Sequence, residues 1–159
     1  MLQQDLIEGR SNGHAHLPVA NFADSSLAAD RVQPMHRVLI VDDHLINRKL
    51  AAFFLSKMNC LQAVCDNGLK ALNMVQEEPF DLVLMDVNMP VMDGLTATRA
   101  IRALQSRAAA VPIVVYSADV TRENRESSLL AGANVFLPKP VDFHNFRTVI
   151  QRLLPPVPH

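Results

Sequence analysis

Val38-Leu39-Ile40-Val41-Asp42-Asp43 is a run of four apolar residues that stops on two acids. A short continuous apolar run rich in β-branched residues is the pattern of a strand covered on both faces, as in a parallel sheet. The next residues change period. Ile46, Leu50, Phe53, Phe54, Leu55 and Met58 recur at helical spacing and predict a helix with these residues on its apolar side.

Further along, the same alternation repeats. Leu61 to Val64 reads as a weaker second strand, and Asn67-Gly68 punctuates before a helix carrying Leu69, Leu72 and Val75. Asp81-Leu82-Val83-Leu84-Met85 is a third strand, followed by helical spacing at Leu95, Thr98, Ile101 and Leu104. Pro112 to Tyr116 is a fourth strand, and a polar helix from about Thr121 to Ala131 stops at Gly132. Val135-Phe136-Leu137 is a fifth strand. Phe143, Phe146, Val149, Ile150 and Leu153 form a last helical face before Pro155-Pro156. Pro138 removes an N–H beside the fifth strand and is expected to limit pairing there. Strands alternating with helices imply an α/β domain with a doubly wound, five-stranded parallel sheet, order 2-1-3-4-5, and five helices.

Outside that pattern, residues 1–36 hold Ser, Asn, Gly, Pro and Ala with isolated apolar residues at no regular period, and read as a flexible leader or linker. The domain is assigned to residues 37–154 and a tail to 155–159. His14, His16 and His36 have no Cys or carboxylate cluster beside them and are read as solvated. The 159 residues are 49% hydrophobic and 19% charged, which excludes wholesale disorder. Fifteen basic against sixteen acidic residues give a net charge of -1, so neither direct nucleic-acid binding nor an anionic membrane surface is expected. Two cysteines make no disulfide framework. There is neither a signal peptide nor an apolar span, and the chain is expected in the cytoplasm, on its own or as the cytoplasmic part of a membrane-bound sensor.

Ligands of doubly wound sheets sit beyond the carboxyl ends of the strands. Strand one ends there in Asp42-Asp43, strand three in Asp86, strand four in Ser117-Ala118, and Lys139-Pro140 follows strand five. Two carboxylates about 5 Å apart repel by roughly 3 kcal/mol at an effective dielectric of 20. A domain of about 5–15 kcal/mol stability would not carry three of them without a compensating cation. Oxygen donors without His or Cys select a hard ion, Mg²⁺ or Mn²⁺. Lys139 and Ser117 suit a further anion, a phosphoryl group, and a carboxylate can take one as nucleophile to form an acyl phosphate. Asp86, on the central strand, is the candidate.

The segments Val38 to Asp43, Met85-Asp86-Val87-Asn88-Met89-Pro90-Val91-Met92-Asp93-Gly94, Tyr116-Ser117-Ala118 and Leu137-Pro138-Lys139-Pro140 resemble the receiver domain of two-component response regulators, and so do their intervals. The resemblance covers roughly Arg37 to Leu154. It implies a flavodoxin-like receiver fold with Asp86 as phosphoacceptor, Asp43 as direct Mg²⁺ ligand, Asp42 acting mostly through water, and the Asn88 carbonyl as another ligand. It further implies that Lys139 pairs with a phosphoryl oxygen, that the peptide before Pro140 is cis, and that Ser117 and Phe136 switch with the fourth helix, fifth strand and fifth helix. Such a domain catalyses only its own phosphorylation and dephosphorylation. Its partner would be a histidine kinase or a histidine phosphotransfer domain, and a homodimer formed on phosphorylation stays open.

Departures from the commonest pattern are His44 after the acidic pair and Ser117 in place of Thr. Asn88 and Asp119 stand where side chains govern water access. The chain ends five residues after Leu154, so output is expected through protein contacts or through a domain outside this chain. Asn47-Arg48 and the long leader resemble the receivers of hybrid sensor histidine kinases, and a free-standing regulator is the alternative. An aspartyl phosphohydrolase would need a second acid at Asn88, and a flavodoxin-like redox module would need a phosphate loop where Asp42-Asp43 stands. A degenerate, non-phosphorylated receiver is disfavoured by the complete set of Asp42, Asp43, Asp86, Ser117 and Lys139.

Overall fold

The central strands are almost wholly apolar, Arg37 at the start of the first and Ser117 at the end of the last apart, because both of their faces are covered. In the computed structural model, which describes residues 35–156, these are β1 (Arg37–Val41), β3 (Leu82–Met85) and β4 (Ile113–Ser117), flanked by β2 (Leu61–Cys65) and β5 (Val135–Pro138). All neighbours pair in parallel, in the order β2-β1-β3-β4-β5. Each crossover is a helix: α1 (Leu45–Ser56), α2 (Gly68–Glu77), α3 (Gly94–Arg102) and α4 (Arg122–Ala131), with α5 (Phe143–Leu153) closing the chain. The expected order and element count are those found. The leader assigned to 1–36 and the tail of 155–159 fall largely outside the described residues. His36, just before β1, already bonds to β2, its carbonyl accepting from the Leu61 amide at 2.8 Å.

Because successive strand residues face opposite sides, the sheet divides the core in two. Val38, Ile40, Leu84, Val114 and Tyr116 pack under α1 and α5 with Ala51, Leu55, Phe146 and Ile150. Leu39, Val41, Val83, Met85 and Ile113 pack under α2 and α3 with Ala71, Val75, Ala97 and Ile101. A smaller cluster joins Val87, Val115, Ala133 and Phe136 beside α4. Asn67, Asp93, Thr121 and Asp142 cap four of the helices by accepting an amide from the first turn.

The apolar face expected of α1 is in fact two faces. Ala51 and Leu55 point inward with Phe54 and Met58 packed beside them, whereas Ile46 is 78% exposed, Phe53 54%, and Leu50 is exposed as well. Positions 46, 50 and 53 form a second stripe at i, i+4 and i+7, so helical spacing alone could not separate them from the core. Leu69 on α2 is likewise exposed. A 3₁₀ turn at Arg107–Ala110 had no signal in its alanine run. Pro138 does not interrupt β4–β5 pairing, since Lys139 donates beyond it to the Ser117 carbonyl at 2.8 Å. β5 pairs only with β4 at the sheet edge, where proline is tolerated.

Two close approaches set the loops near the carboxyl edge. A Cβ on Gly94 would lie 1.8 Å from the Asp86 carbonyl oxygen, so only glycine lets α3 start against the end of β3. Gly132 ends α4 at φ 109°, a left-handed position suited to glycine. The Gly132 carbonyl is then taken by Arg102, whose Nε lies 2.9 Å away. The same guanidinium donates to the carbonyls of Ala109 at 2.8 Å and Val111 at 2.7 Å and to Asn134 Oδ1 at 2.9 Å. Arg102 thus ties α3, the 3₁₀ turn and the α4–β5 loop together. Arg102→Met removes this donor from the three carbonyls, while Asn134 Oδ1 keeps the Ile113 amide at 2.8 Å. It is expected to cost about 2–4 kcal/mol, read as a lower urea midpoint with an unchanged far-ultraviolet circular dichroism spectrum.

Candidate functional site

The strand order brings β1 and β3 side by side, with Val41 opposite Met85, so the residues that follow them meet. Asp42 and Asp86 are buried, at 3% and 8% exposure, while Asp43 is exposed. One carboxylate oxygen from each of the three lies within 4.8 Å of the others. Lys139 reaches this cluster from beyond β5, its Nζ 2.5 Å from Asp42 Oδ2 and 3.2 Å from Asp86 Oδ1. The Lys139–Pro140 peptide is cis.

The three acids are not equivalent. Asp42 Oδ1 accepts from the His44 amide at 2.8 Å and from Asn47 Nδ2 at 3.3 Å, and Oδ2 accepts from Lys139. Its main-chain carbonyl accepts from Arg48 Nη1 at 2.6 Å. Both carboxylate oxygens of Asp42 therefore already have protein donors, whereas Asp43 faces solvent in the cleft. Burial pushes the Asp86 pKa above the ordinary carboxylate value; the Lys139 ammonium opposes that shift and the Asp42 charge adds to it. An all-oxygen donor set of this kind fits a hard divalent cation. Asp42, Asp43 and Asp86 could hold it, with Asn88 on the same wall.

The cleft above the acids measures about 450 Å³ and is lined by Asp43, His44, Asn47, Leu50, Asp86, Asn88, Tyr116, Ala118, Lys139 and Pro140. A groove of about 370 Å³ at Phe80, Arg107 and Val111 contains none of these residues. Ser117 and Phe136 lie behind the cleft wall. Ser117 is wholly buried, and its Oγ accepts from the Asp119 amide at 3.2 Å and from Asn124 Nδ2 at 3.5 Å. Asn124 also donates to the Asp119 carbonyl at 2.7 Å. The Asp119 carboxylate accepts from the Thr121 amide at 3.1 Å, on an exposed shoulder outside the cleft lining. The Phe136 ring is turned inward against Val87, Val115 and Ala133, with the Arg125 guanidinium 5.2 Å from its centroid.

The structure thus gathers Asp42, Asp43, Asp86, Asn88, Ala118, Lys139 and Pro140 around one cleft and sets Ser117, Asp119 and Phe136 beside α4. Sequence reasoning missed Tyr116, whose ring lies 4.9 Å from Lys139 Nζ. Strand alternation carried the signal, because residue 116 falls on the same face as Val114. Leu50 was read only as core, yet it lines the cleft mouth.

The Asp86 shift has a sign that can be tested. Ionising a carboxyl whose folded pKa is raised costs folding energy. The stability held by its neutral form is fully present below the unfolded pKa and lost as pH rises through the folded one. Asp86→Asn is therefore expected to raise the melting temperature of the metal-free protein by a few degrees at pH 7, with the gain vanishing near pH 3. A lower melting temperature at pH 7 would contradict the crowding of the acids.

Comparisons with known proteins agree with this geometry. The family model described as "Response regulator receiver domain" matches residues 38–151. The sensor histidine kinase GacS of Pseudomonas protegens is 40% identical over 116 residues, which cover 72% of this chain and 13% of that kinase. Across the most similar curated relatives the chain spans 4% to 18% of their length. A crystal structure of the receiver domain of sensor histidine kinase PA1611 from Pseudomonas aeruginosa PAO1, with a magnesium ion coordinated in its active site cleft, is 30% identical with a TM-score of 0.70, covering 75% of this chain and 97% of that one. The chemotaxis response regulator CheY4 of Vibrio cholerae is 31% identical with a TM-score of 0.70, covering 76% and 99%.

Proposed function

The chain belongs to the response regulator receiver domain family, and from that membership we propose that Asp86 accepts a phosphoryl group from a phosphohistidine. The chain is a phosphorelay receiver related to those of hybrid histidine kinases. The observation that carries the residue assignment is the cluster of Asp42, Asp43 and Asp86 bridged by Lys139. A carboxylate oxygen of Asp86 attacks phosphorus, the P–N bond to the donor imidazole breaks, and the imidazole nitrogen keeps the electron pair. Asp43, Asp86 and the Asn88 carbonyl would hold a Mg²⁺, with Asp42 acting through water, and the ion would supply positive charge beside the phosphoryl oxygens. Mn²⁺ has the same donor preference and serves as a substitute.

Lys139 gives up its 3.2 Å contact with Asp86 and pairs with a phosphoryl oxygen. The Ser117 hydroxyl turns from the α4 turn to the phosphoryl group, and the space it leaves lets Phe136 move. The responsive face is then α4, β5 and α5. We assign the receiver to residues 37–154 and no catalysis to it beyond its own phosphorylation and dephosphorylation. Loss of the second acid at Asn88 counts against a phosphohydrolase.

The donor is a histidine kinase or a histidine phosphotransfer domain. The exposed Leu45, Ile46, Leu50 and Phe53 beside the cleft supply an apolar surface for it. The likeness to kinase receivers supports a hybrid sensor kinase as the parent, with this domain on the cytoplasmic side. Among the described residues no helix is long and apolar enough to cross a membrane. The equal likeness to the Vibrio chemotaxis regulator is what a free-standing regulator rests on. A phosphorylation-dependent homodimer would have the exposed Leu129 and Leu130 of α4 available.

Intact-protein mass spectrometry after incubation with phosphoramidate tests the assignment. With Mg²⁺ the wild type is expected to gain one phosphoryl group, about 80 Da. Without Mg²⁺, or in Asp86→Asn, no gain is expected. A gain retained by Asp86→Asn would move the acceptor elsewhere.

A further inference from the structure

Lys139 is a long, flexible side chain asked to hold one position among three acids. Its carboxylate contacts are unequal, 2.5 Å to Asp42 and 3.2 Å to Asp86, and the closer one draws the ammonium away from the acceptor. A third contact comes from below, where the face of Tyr116 lies 4.9 Å from Nζ. An ammonium within about 6 Å of an aromatic centroid is attracted by the ring quadrupole.

Tyr116 is itself held firmly. It is buried at the end of β4, its ring meets Phe146 edge-on at 6.3 Å, and Phe146 is wholly buried. Val141, directly after the Lys139–Pro140 peptide, packs against the same apolar cluster as Tyr116. The ring therefore lies under the ammonium, within the cluster that also receives the residue beyond the proline.

We propose that Tyr116 is a positioning residue for Lys139, a neutral aromatic platform that keeps the ammonium over the Asp86 acceptor. The platform attracts the cation without adding negative charge where three carboxylates already crowd. It also offers no lone pair that would compete with incoming phosphoryl oxygens. The inference rests on the proposed phosphorylation of Asp86 and adds to it a residue that acts through Lys139 and touches neither the phosphoryl group nor a metal ion.

The experiment compares wild type, Tyr116→Phe, Tyr116→Leu and Tyr116→Ile in phosphoramidate phosphorylation at saturating Mg²⁺, with Mg²⁺ affinity and melting temperature measured beside it. Tyr116→Phe keeps the ring and is expected within about twofold of the wild-type rate. The two aliphatic variants are expected to lose roughly 5- to 20-fold in rate while Mg²⁺ affinity changes less than about twofold. Equal rates for wild type and the aliphatic variants, or a Tyr116→Phe as slow as they are, would overturn the proposal.

Proton NMR of the wild type gives a second reading that needs no variant to fold. The Lys139 ε-methylene protons are expected upfield of those of the exposed lysines because of the Tyr116 ring current, and ordinary shifts would equally overturn the proposal. A wild type that takes no phosphoryl group would instead sink the functional reading, while the NMR shift still decides the contact.

Discussion

Three acids at one edge of a parallel sheet repel one another, and the ammonium of Lys139 is the charge that lets them stay. At an effective dielectric near 20 each close like-charged pair costs roughly 3 kcal/mol, a large share of the stability of a domain this size. Strand order makes the compensation possible. β1 and β3 are neighbours, so Asp42 and Asp86 meet, and β5 ends on the same edge, which lets a residue far away in the chain reach back to both. The compensation is incomplete, since burial and Asp42 still outweigh Lys139 at Asp86. The metal-free cluster therefore still favours an added cation.

The same edge is joined to α4 by a different kind of bond. At the N-terminal end of α4, Ser117 is held by neutral hydrogen bonds from Asp119 and Asn124, one of them at the 3.5 Å limit. At the C-terminal end, the Gly132 carbonyl is held by a guanidinium that also grips two other carbonyls and Asn134. Hydrogen bonds from a charged donor are the stronger kind. The helix is thus anchored at the end far from the acids and lightly held at the near end, with Phe136 and Arg125 stacked along the side between them. A disturbance at the cleft finds the weaker attachment first.

Much of this was legible in the residues themselves. Fully buried strands announce themselves as apolar runs, and Asp42, Asp43, Asp86, Ser117 and Lys139 each follow one, so their convergence came directly from topology. The apolar spacing of α1 was misleading because Ile46, Leu50 and Phe53 keep helical period while facing outward; period reports a stripe and does not say what covers it. The Arg102 clamp and the inward Phe136 depend on contacts between distant segments with no local pattern. Tyr116 looked like one more strand residue, and the contact with Lys139 that gives it a role joins segments far apart in sequence.

The position of that ring has a spectroscopic consequence. The chain has one tyrosine and no tryptophan, so its near-ultraviolet emission is dominated by a single chromophore on the wall of the acidic cleft. Any ion or charged group that enters changes the field at that chromophore, and the seven phenylalanines absorb and emit too weakly to mask the signal. The protein therefore carries its own optical probe at the place where charge arrives.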